Sequence, residues 1–272
     1  MWQTWPGSVI GYEYAQGMPT ALITGGTSGI GAEFARQLAA RGTDLVLVAR
    51  DRERLEEYAD QLRTEHAVEV EILSADLADR EQTQTVAERV ESSDHPIDML
   101  VNNAGFGLRS TLLQPDTDID ERALDVMCRG VLVLGGAAAR AMKQRGRGTI
   151  INTSSVAGFF AMGHYSAIKA WVTAYSQSLA VQLKGTGVTV TTLCPGWVRT
   201  EFHERANINS RSIPDFAWID KELLVSEALR DADRGKAISI PAIGWKVAIT
   251  GARFLPKPVI RWISAKLISR RH

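Results

Sequence analysis

The regular alternation of short apolar runs with longer amphipathic stretches limits the fold of this chain more than any other feature. It begins at Pro19 and is typical of repeated βα units, in which helices cover both faces of a parallel sheet. Strands are predicted at Thr20–Thr24, Asp44–Ala49, Val68–Ser74, Met99–Asn102, Thr149–Thr153, Val188–Leu193 and Ala237–Ile240. Helices are predicted near Gly29–Arg41, Asp51–Glu65, Asp79–Ser92, Ile119–Lys143 and Tyr165–Lys184. We therefore expect an α/β fold with one doubly wound parallel sheet of about seven strands in a three-layer α/β/α arrangement.

The composition suits one such domain, since the chain has 272 residues of which 45% are hydrophobic. Its two cysteines, Cys128 and Cys194, are far apart in the sequence and show no CxxC or Cys/His spacing. We therefore expect neither a disulfide framework nor a metal site, and we expect a reducing, cytoplasmic location.

Charge is distributed unevenly along the chain. The 31 acidic and 31 basic side chains cancel overall, but every acid precedes Arg234 and only bases follow it. The acidic body argues against nucleic-acid binding, which needs a basic face. No apolar run is long enough to span a membrane.

The N-terminal stretch, residues 1–18, shows neither helical nor alternating periodicity. It also lacks the basic region and the continuous apolar core of a secretory signal. We expect it to be a flexible extension, with Met18 as an alternative start, ahead of a main domain over residues 19–241.

A glycine-rich turn follows the first predicted strand and leads directly into the first predicted helix. Glycines allow a sharp turn and close approach to a pyrophosphate, and the N-terminal end of the helix attracts its negative charge. The turn therefore predicts a dinucleotide site, although a tight strand-to-helix connection would use the same residues. The candidate contacts are Gly25, Thr27, Ser28, Gly29, Ile30 and Gly31.

The second predicted strand ends in Ala49 and Arg50, where a cofactor with a free ribose 2′-hydroxyl usually meets an acidic residue. A guanidinium there suits a 2′-phosphate, so Arg50 favours NADP(H) over NAD(H). The alternative is that Arg50 only begins a charged surface helix.

Two further strand ends carry polar residues. Asp76 and Leu77 follow the third strand, and Asn103, Ala104 and Gly105 follow the fourth. Ligands of open parallel sheets bind beyond these carboxyl ends, so all five are candidate cofactor contacts. Asp76 could accept from an adenine amino group or cap the next helix, and Asn103 to Gly105 could equally form a buried turn.

A tyrosine and a lysine four positions apart, Tyr165 and Lys169, lie on one face of a predicted helix and follow Ser154 and Ser155 at a strand end. An ammonium group near a phenol favours the phenolate, so we expect Lys169 to lower the pKa of Tyr165. Tyr165 would exchange a proton with substrate, Ser155 would stabilise the developing alkoxide, and Lys169 would also hold a ribose. Taken alone, this spacing also occurs in ordinary surface pairs, and Ser154 is an alternative to Ser155.

Together these motifs resemble the short-chain dehydrogenase/reductase family over roughly Pro19 to Pro241. The resemblance implies a Rossmann-like dinucleotide-binding catalytic domain in which Ser155, Tyr165 and Lys169 serve hydride-transfer chemistry. It also implies a homodimer or homotetramer. In the segment that begins Pro195-Gly196, it implies a nicotinamide-side wall, with Val198 and Thr200 contacting the carboxamide and phosphate regions.

Two features depart from the family pattern. Met127 stands where the family places an asparagine, and a thioether cannot hold a bridging water as an amide does. The ten-residue step from Ser155 to Tyr165 is also shorter than usual, which should reshape one wall of the substrate pocket.

Two segments flank the predicted site. Residues 196–224 are predicted to form an irregular substrate lid, whose apolar side chains would either line a pocket for a hydrophobic carbonyl or alcohol or anchor the lid. These side chains are Phe202, Ile208, Ile213, Phe216 and Trp218. Residues 242–272 form a basic amphipathic tail that would contact an anionic membrane peripherally or cover the acidic body.

The sequence therefore predicts an NADP(H)-dependent oxidoreductase that interconverts a hydrophobic carbonyl compound and its secondary alcohol. The alternative is a dinucleotide-binding sensor with little or no turnover, which the replacement of asparagine by Met127 would allow.

Overall fold

A computed structural model of the chain describes residues 18–108, 111–199 and 215–268. The proposed N-terminal extension, except Met18, lies outside the described residues. The strands are β1 Thr20–Thr24, β2 Asp44–Ala49, β3 Val70–Ser74, β4 Met99–Asn102, β5 Gly148–Thr153, β6 Val188–Leu193, β7 Trp197–Val198, β8 Trp218–Ile219 and β9 Ile238–Ser239. The α-helices are α1 Gly29–Ala39, α2 Arg52–His66, α3 Arg80–Glu91, α4 Asp118–Leu124, α5 Gly130–Arg145, α6 His164–Gln182, α7 Lys221–Asp233, α8 Ile243–Arg253 and α9 Lys257–Ile268.

Seven strands form one parallel sheet in the order β3-β2-β1-β4-β5-β6-β9. This confirms the predicted doubly wound, Rossmann-like α/β fold. Because the chain crosses from β3 back to β4 on the other side of β1, a crevice opens beyond the carboxyl ends of β1 and β4, where such sheets bind ligands.

Each face of the sheet packs against its own apolar layer. Ile23 and Leu47 point to one layer, together with Phe34 of α1, whereas Leu22 and Val46 point to the other. All five are fully buried. Helices on both faces bury the central strands β1 and β2, which explains why their sequences are nearly continuous apolar runs.

The long helix predicted over Ile119–Lys143 is interrupted. A π-helical segment at Asp125–Arg129 separates α4 from α5. Such segments insert one extra residue into a helical turn and often occur at functional sites. This one places Met127 beside the predicted catalytic lysine, as described below.

The described part of the predicted lid is not irregular, so that prediction is wrong for these residues. Trp197–Val198 pairs in parallel with Trp218–Ile219, and α7 begins at Lys221. The Trp197 and Trp218 rings lie 6.3 Å apart, and the Arg199 guanidinium lies 5.2 Å from the centre of the Trp218 ring. These contacts give Trp218 an anchoring role. The side chains of Phe202, Ile208, Ile213 and Phe216 lie outside the described residues.

Candidate active site

The glycine-rich turn has the geometry of a phosphate cradle. Gly25 and Gly29 adopt positive φ angles of 67° and 54°, which only glycine accepts readily. A Cβ atom on Gly31 would lie 2.6 Å from Asn103 Nδ2 and closer still to the Gly25 carbonyl oxygen, so α1 packs tightly on the turn. Among the described residues, the Ser28 side chain makes no capping hydrogen bond to α1. The first N–H groups of the helix therefore suit a phosphate, and the residues present fit a dinucleotide.

Hydrogen bonds fasten the turn to the end of β4. The Thr24 hydroxyl oxygen accepts from the backbone N–H groups of Asn103 at 2.9 Å and Ala104 at 3.0 Å, and Asn103 Nδ2 donates to the Thr24 carbonyl oxygen at 3.1 Å. Asn103 therefore shapes the turn, which was one of its two predicted roles. Thr24 was missed by the sequence analysis because it reads as the last residue of a strand.

Arg50 lies exposed where β2 ends, beside the end of β3. The Ser74 hydroxyl donates to the Arg50 carbonyl oxygen at 3.0 Å. The positive charge of Arg50 contributes to lowering the pKa of Asp76. Arg50, which is predicted to bind the 2′-phosphate, and Asp76, which is predicted to contact adenine, therefore lie near each other. The side chain of Leu77, the next candidate contact, is buried in the core.

Asp76 does not cap α3, so that alternative is wrong. The cap is Asp79, which accepts from the Gln82 backbone N–H at 2.9 Å. Asp76 instead binds Arg122 at 2.6 Å and accepts from the Ala78 N–H at 3.0 Å. Burial acts to raise the pKa of Asp76, but these hydrogen bonds outweigh it and hold the pKa below its usual value, so Asp76 is ionised.

The two adjacent serines have different roles. The buried Ser154 hydroxyl donates to the Lys169 carbonyl oxygen at 2.7 Å and contacts the Thr173 hydroxyl at 2.7 Å, so it fastens β5 to α6. Ser155 accepts from the Ala157 N–H at 3.1 Å and hydrogen-bonds Tyr165. The hydroxyl next to the tyrosine is therefore that of Ser155, and Ser154 is structural.

Tyr165 and Lys169 lie one turn apart near the start of α6. Lys169 Nζ lies 5.6 Å from the centre of the Tyr165 ring and donates to the Thr153 carbonyl oxygen at 2.9 Å. Burial lowers the pKa of Lys169 to about 8. Burial raises the pKa of Tyr165 to about 12, although the hydrogen bond from Ser155 opposes the rise. The predicted lowering of the tyrosine pKa by lysine is therefore wrong for this structure, because desolvation of the phenolate dominates and the contribution that opposes it comes from Ser155.

A chain of buried polar side chains, which the sequence analysis missed, positions α6 against the sheet. Asn102 Nδ2 donates to Asn152 Oδ1 at 2.9 Å, and Asn152 Nδ2 donates to the Ser176 hydroxyl at 2.9 Å. Gly158 adds a close approach, since a Cβ atom there would lie 2.8 Å from the Lys169 backbone. In the sequence these residues look like ordinary strand and helix positions, and only the pairing of β4, β5 and α6 brings them together.

Met127 occupies the space beside the lysine. It is fully buried, and a Cβ atom on Gly105 would lie 2.9 Å from its sulfur and 3.8 Å from Lys169 Nζ. The neighbouring Cys128 is half-buried, and burial raises the pKa of its thiol to about 11, so it stays protonated. Neither side chain supplies the amide that the family pattern places here.

The predicted nicotinamide-side wall lies next to Ser155. The Val156 N–H donates to the Pro195 carbonyl oxygen at 3.0 Å, and Val198 is buried. A Cβ atom on Gly196 would clash with the Trp245 ring. The C-terminal tail therefore covers this wall, which the sequence analysis did not foresee. Thr200 lies outside the described residues.

Comparison with known proteins identifies the family. A model described as short chain dehydrogenase matches residues 19–211. A short-chain dehydrogenase from Sphingobium yanoikuyae, solved in complex with NADPH, is 38% identical with a TM-score of 0.80, over 87% of this chain and 93% of that chain. The bulky-bulky ketone specific alcohol dehydrogenase from Comamonas testosteroni is 32% identical with a TM-score of 0.75, over 88% of this chain and 96% of that chain. A putative ketoacyl reductase for granaticin polyketide synthesis in Streptomyces violaceoruber is 40% identical over 200 residues, 69% of this chain and 70% of that protein. The chain therefore belongs to the short-chain dehydrogenase/reductase family of NAD(P)-dependent oxidoreductases.

Proposed function

We propose that this oxidoreductase uses NADP(H) to interconvert an apolar carbonyl compound and its secondary alcohol, with Tyr165 as the proton donor and acceptor. One observation carries the proposal: the hydroxyls of Ser155 and Tyr165 hydrogen-bond each other while Lys169 lies over the tyrosine ring. A carbonyl oxygen placed between the two hydroxyls would receive two hydrogen bonds.

The cofactor would be held along the crevice between β1 and β4. The turn from Gly25 to Gly31 would bind the pyrophosphate, Asp76 and Asn103 to Gly105 would contact the adenosine half, and Pro195 to Thr200 the nicotinamide half. Arg50 would bind the 2′-phosphate, because a guanidinium is the best donor for a phosphate group. The similarity to an NADPH-bound dehydrogenase supports this preference. When bound, the cofactor supplies the hydride.

The chain's own residues would handle the proton. The raised pKa of Tyr165 keeps its phenol protonated near neutral pH, which suits a proton donor in carbonyl reduction. Ser155 would donate a hydrogen bond to the same substrate oxygen, since its own oxygen already accepts from Ala157. Lys169, held by the Thr153 carbonyl oxygen, would stabilise the phenolate left after transfer and bind the ribose.

Apolar walls next to Ser155 favour an apolar substrate. Phe159 and Phe160 follow Ser155 and pack against a cluster that contains Val156, Cys194 and Ile240. The short segment between Ser155 and Tyr165 leaves little room for additional polar residues in this wall of the pocket. The similarity to a bulky-bulky ketone specific alcohol dehydrogenase and to a putative ketoacyl reductase supports a carbonyl substrate.

We place the enzyme in the cytoplasm as a homodimer or homotetramer. Cys128 and Cys194 are both free, as expected in a reducing compartment. Leu132 on α5 and Trp171 on α6 are large apolar side chains at least one-third exposed, which supports a subunit contact on these helices.

A carbonyl panel followed by NADPH absorbance tests the proposal, with Tyr165→Phe as the matched variant. We expect NADPH-dependent reduction of apolar ketones by the wild type, and loss of turnover without loss of NADPH binding in Tyr165→Phe. The position of Met127 favours a second candidate, a dinucleotide sensor. Tight NADPH binding without turnover on any carbonyl would support the sensor and overturn the proposed reaction.

A further inference from the structure

Helix α8 in the tail presents two opposite apolar faces. Trp245 and Ile249, one turn apart, face the body: Trp245 packs on Gly196 and donates to the Ala217 carbonyl oxygen at 3.0 Å, and Ile249 is buried. Ile243 and Val247, also one turn apart, lie on the other side and are 82% and 67% exposed. A helix that only packed on the body would be polar on that outer side.

Helix α9 also has an exposed apolar side. Its inner side is fixed by the buried Ser264, whose hydroxyl accepts from the Ala161 N–H at 3.0 Å. Its outer side carries Trp262, which is 62% exposed, and Phe254 in the turn before α9 is 85% exposed. We call the exposed apolar residues of α8, α9 and the turn between them the tail face. They are Ile243, Val247, Phe254, Leu255, Val259 and Trp262.

The charged side chains of the tail itself are all basic. No acid follows Asp233 in the sequence, whereas Lys246, Arg261 and Lys266 are exposed on α8 and α9. Lys266 Nζ lies 4.7 Å from the centre of the Trp262 ring, so a cation and an aromatic ring occupy the same outer surface. Exposed aromatic and aliphatic side chains together with exposed lysine and arginine suit the interface of an anionic bilayer, which offers apolar chains below negatively charged headgroups.

We propose that the tail face docks this protein peripherally on an anionic lipid bilayer. The apolar side chains would enter the boundary between headgroups and acyl chains, and the basic ones would contact lipid phosphates. The alternative expected from the sequence, a tail that neutralises the acidic body, fits the structure less well. The contacts of α8 and α9 with the body through Trp245, Ile249 and Ser264 are apolar or neutral.

The proposal concerns a helix lying on a membrane rather than crossing it. Across the described ranges, no helix combines the length and apolarity that a transmembrane span requires. The α8 and α9 helices are 11 and 12 residues long, which suits a pair lying in the plane of the interface.

Docking has a consequence for catalysis that rests on the proposed function. Trp245 covers the predicted nicotinamide-side wall, and Ser264 holds Ala161 in the segment between Ser155 and Tyr165. Helices α8 and α9 would therefore contact the bilayer with their outer sides and the substrate pocket with their inner sides. An apolar carbonyl dissolved in the bilayer would reach the site over a short path.

Sedimentation of the full chain with lipid vesicles tests docking without any activity readout, so its failure is separate from failure of the proposed reaction. We expect binding to phosphatidylcholine vesicles that contain phosphatidylglycerol, weak binding to phosphatidylcholine alone, and release at high salt. Phe254→Ser should weaken the partition coefficient about 10-fold through lost apolar burial. Lys246→Gln and Arg261→Gln should each weaken it about 5-fold.

Val181→Ser, at the C-terminal end of α6, and Lys184→Gln, in the turn after it, change exposed side chains; they are the matched controls and should bind as the wild type does. Circular dichroism checks that each variant is folded. Absence of binding to the anionic vesicles would overturn the proposal, as would equal binding by tail-face and control variants. It would also be overturned if the tail-face variants abolished self-association instead, because the tail face would then bind a second copy of the chain.

Discussion

Adding one methyl group at Gly31 tests the phosphate cradle directly. The new Cβ atom would lie 2.6 Å from Asn103 Nδ2 and still closer to the Gly25 carbonyl oxygen. Unstrained heavy atoms stay about 3.5 Å apart, so α1 and the turn must separate by about 1 Å. Asn103 is also the residue that binds the turn to β4, so the shift cannot be absorbed by a flexible side chain.

The cost follows from hydrogen-bond geometry. A shift of about 1 Å lengthens an N–H to phosphate contact from about 2.9 Å to beyond the range of a hydrogen bond. Hydrogen bonds to charged groups contribute about 1.5–3 kcal/mol each, and loss of two would cost about 3–6 kcal/mol. Gly31→Ala should therefore weaken NADPH binding about 100-fold or more.

Fluorescence titration with NADPH measures this change, and thermal unfolding monitors the fold. Gly251→Ala is the control, because Gly251 lies within α8 with no heavy atom near its hypothetical Cβ. That variant should bind NADPH normally and be up to about 1 kcal/mol more stable. If folded Gly31→Ala bound NADPH within a few-fold of the wild type, the turn would not be the phosphate site.

Four further outcomes are expected. Arg50→Ala should raise the KM for NADPH about 10- to 100-fold and leave that for NADH unchanged in steady-state assays, and equal effects would refute the 2′-phosphate role. Because the pKa of Tyr165 is raised, its phenol stays protonated and reduction should be constant from pH 6 to 7, then fall as Lys169 loses its charge around its pKa of about 8, whereas oxidation, which needs the phenolate, should rise from pH 6 to 7; a reduction rate that falls between pH 6 and 7 would contradict the assignment. Met127→Asn should raise kcat about 10-fold with NADPH affinity unchanged, and an unchanged kcat would show that no amide is needed there. Ser176→Ala should cost about 1–3 kcal/mol in urea unfolding by leaving the Asn152 amide without its acceptor, and a neutral effect would remove its positioning role.

The sheet was predictable largely because β1, β2 and β4 are buried on both faces and are therefore nearly continuous apolar runs. β1, β2, β4 and β6 begin and end at the predicted residues. The helices α1, α2, α3 and α6 also agreed closely with the predicted ranges, and Asp51 and Asp79, where two of them were predicted to begin, are the caps of α2 and α3. Local sequence patterns were therefore enough to predict these strands and helices.

Features that depend on contacts distant in sequence were not predictable. The π-helical segment around Met127 and the pairing of Trp197 with Trp218 leave no periodic signal. The sequence places Tyr165 and Lys169 on one helix face but does not reveal how deeply they are buried. Burial is what reverses the expected direction of the tyrosine pKa shift.

Isotope transfer tests the central claim most directly. The protein is given NADPH deuterated at the transferable position of the nicotinamide together with an apolar ketone, and the alcohol product is analysed by mass spectrometry. The account predicts one deuterium on the carbinol carbon with the wild type, and no product with Tyr165→Phe, which should still bind NADPH. Alcohol formed at the wild-type rate by Tyr165→Phe would contradict the role of the phenol, and no labelled alcohol from any ketone would contradict the reaction itself.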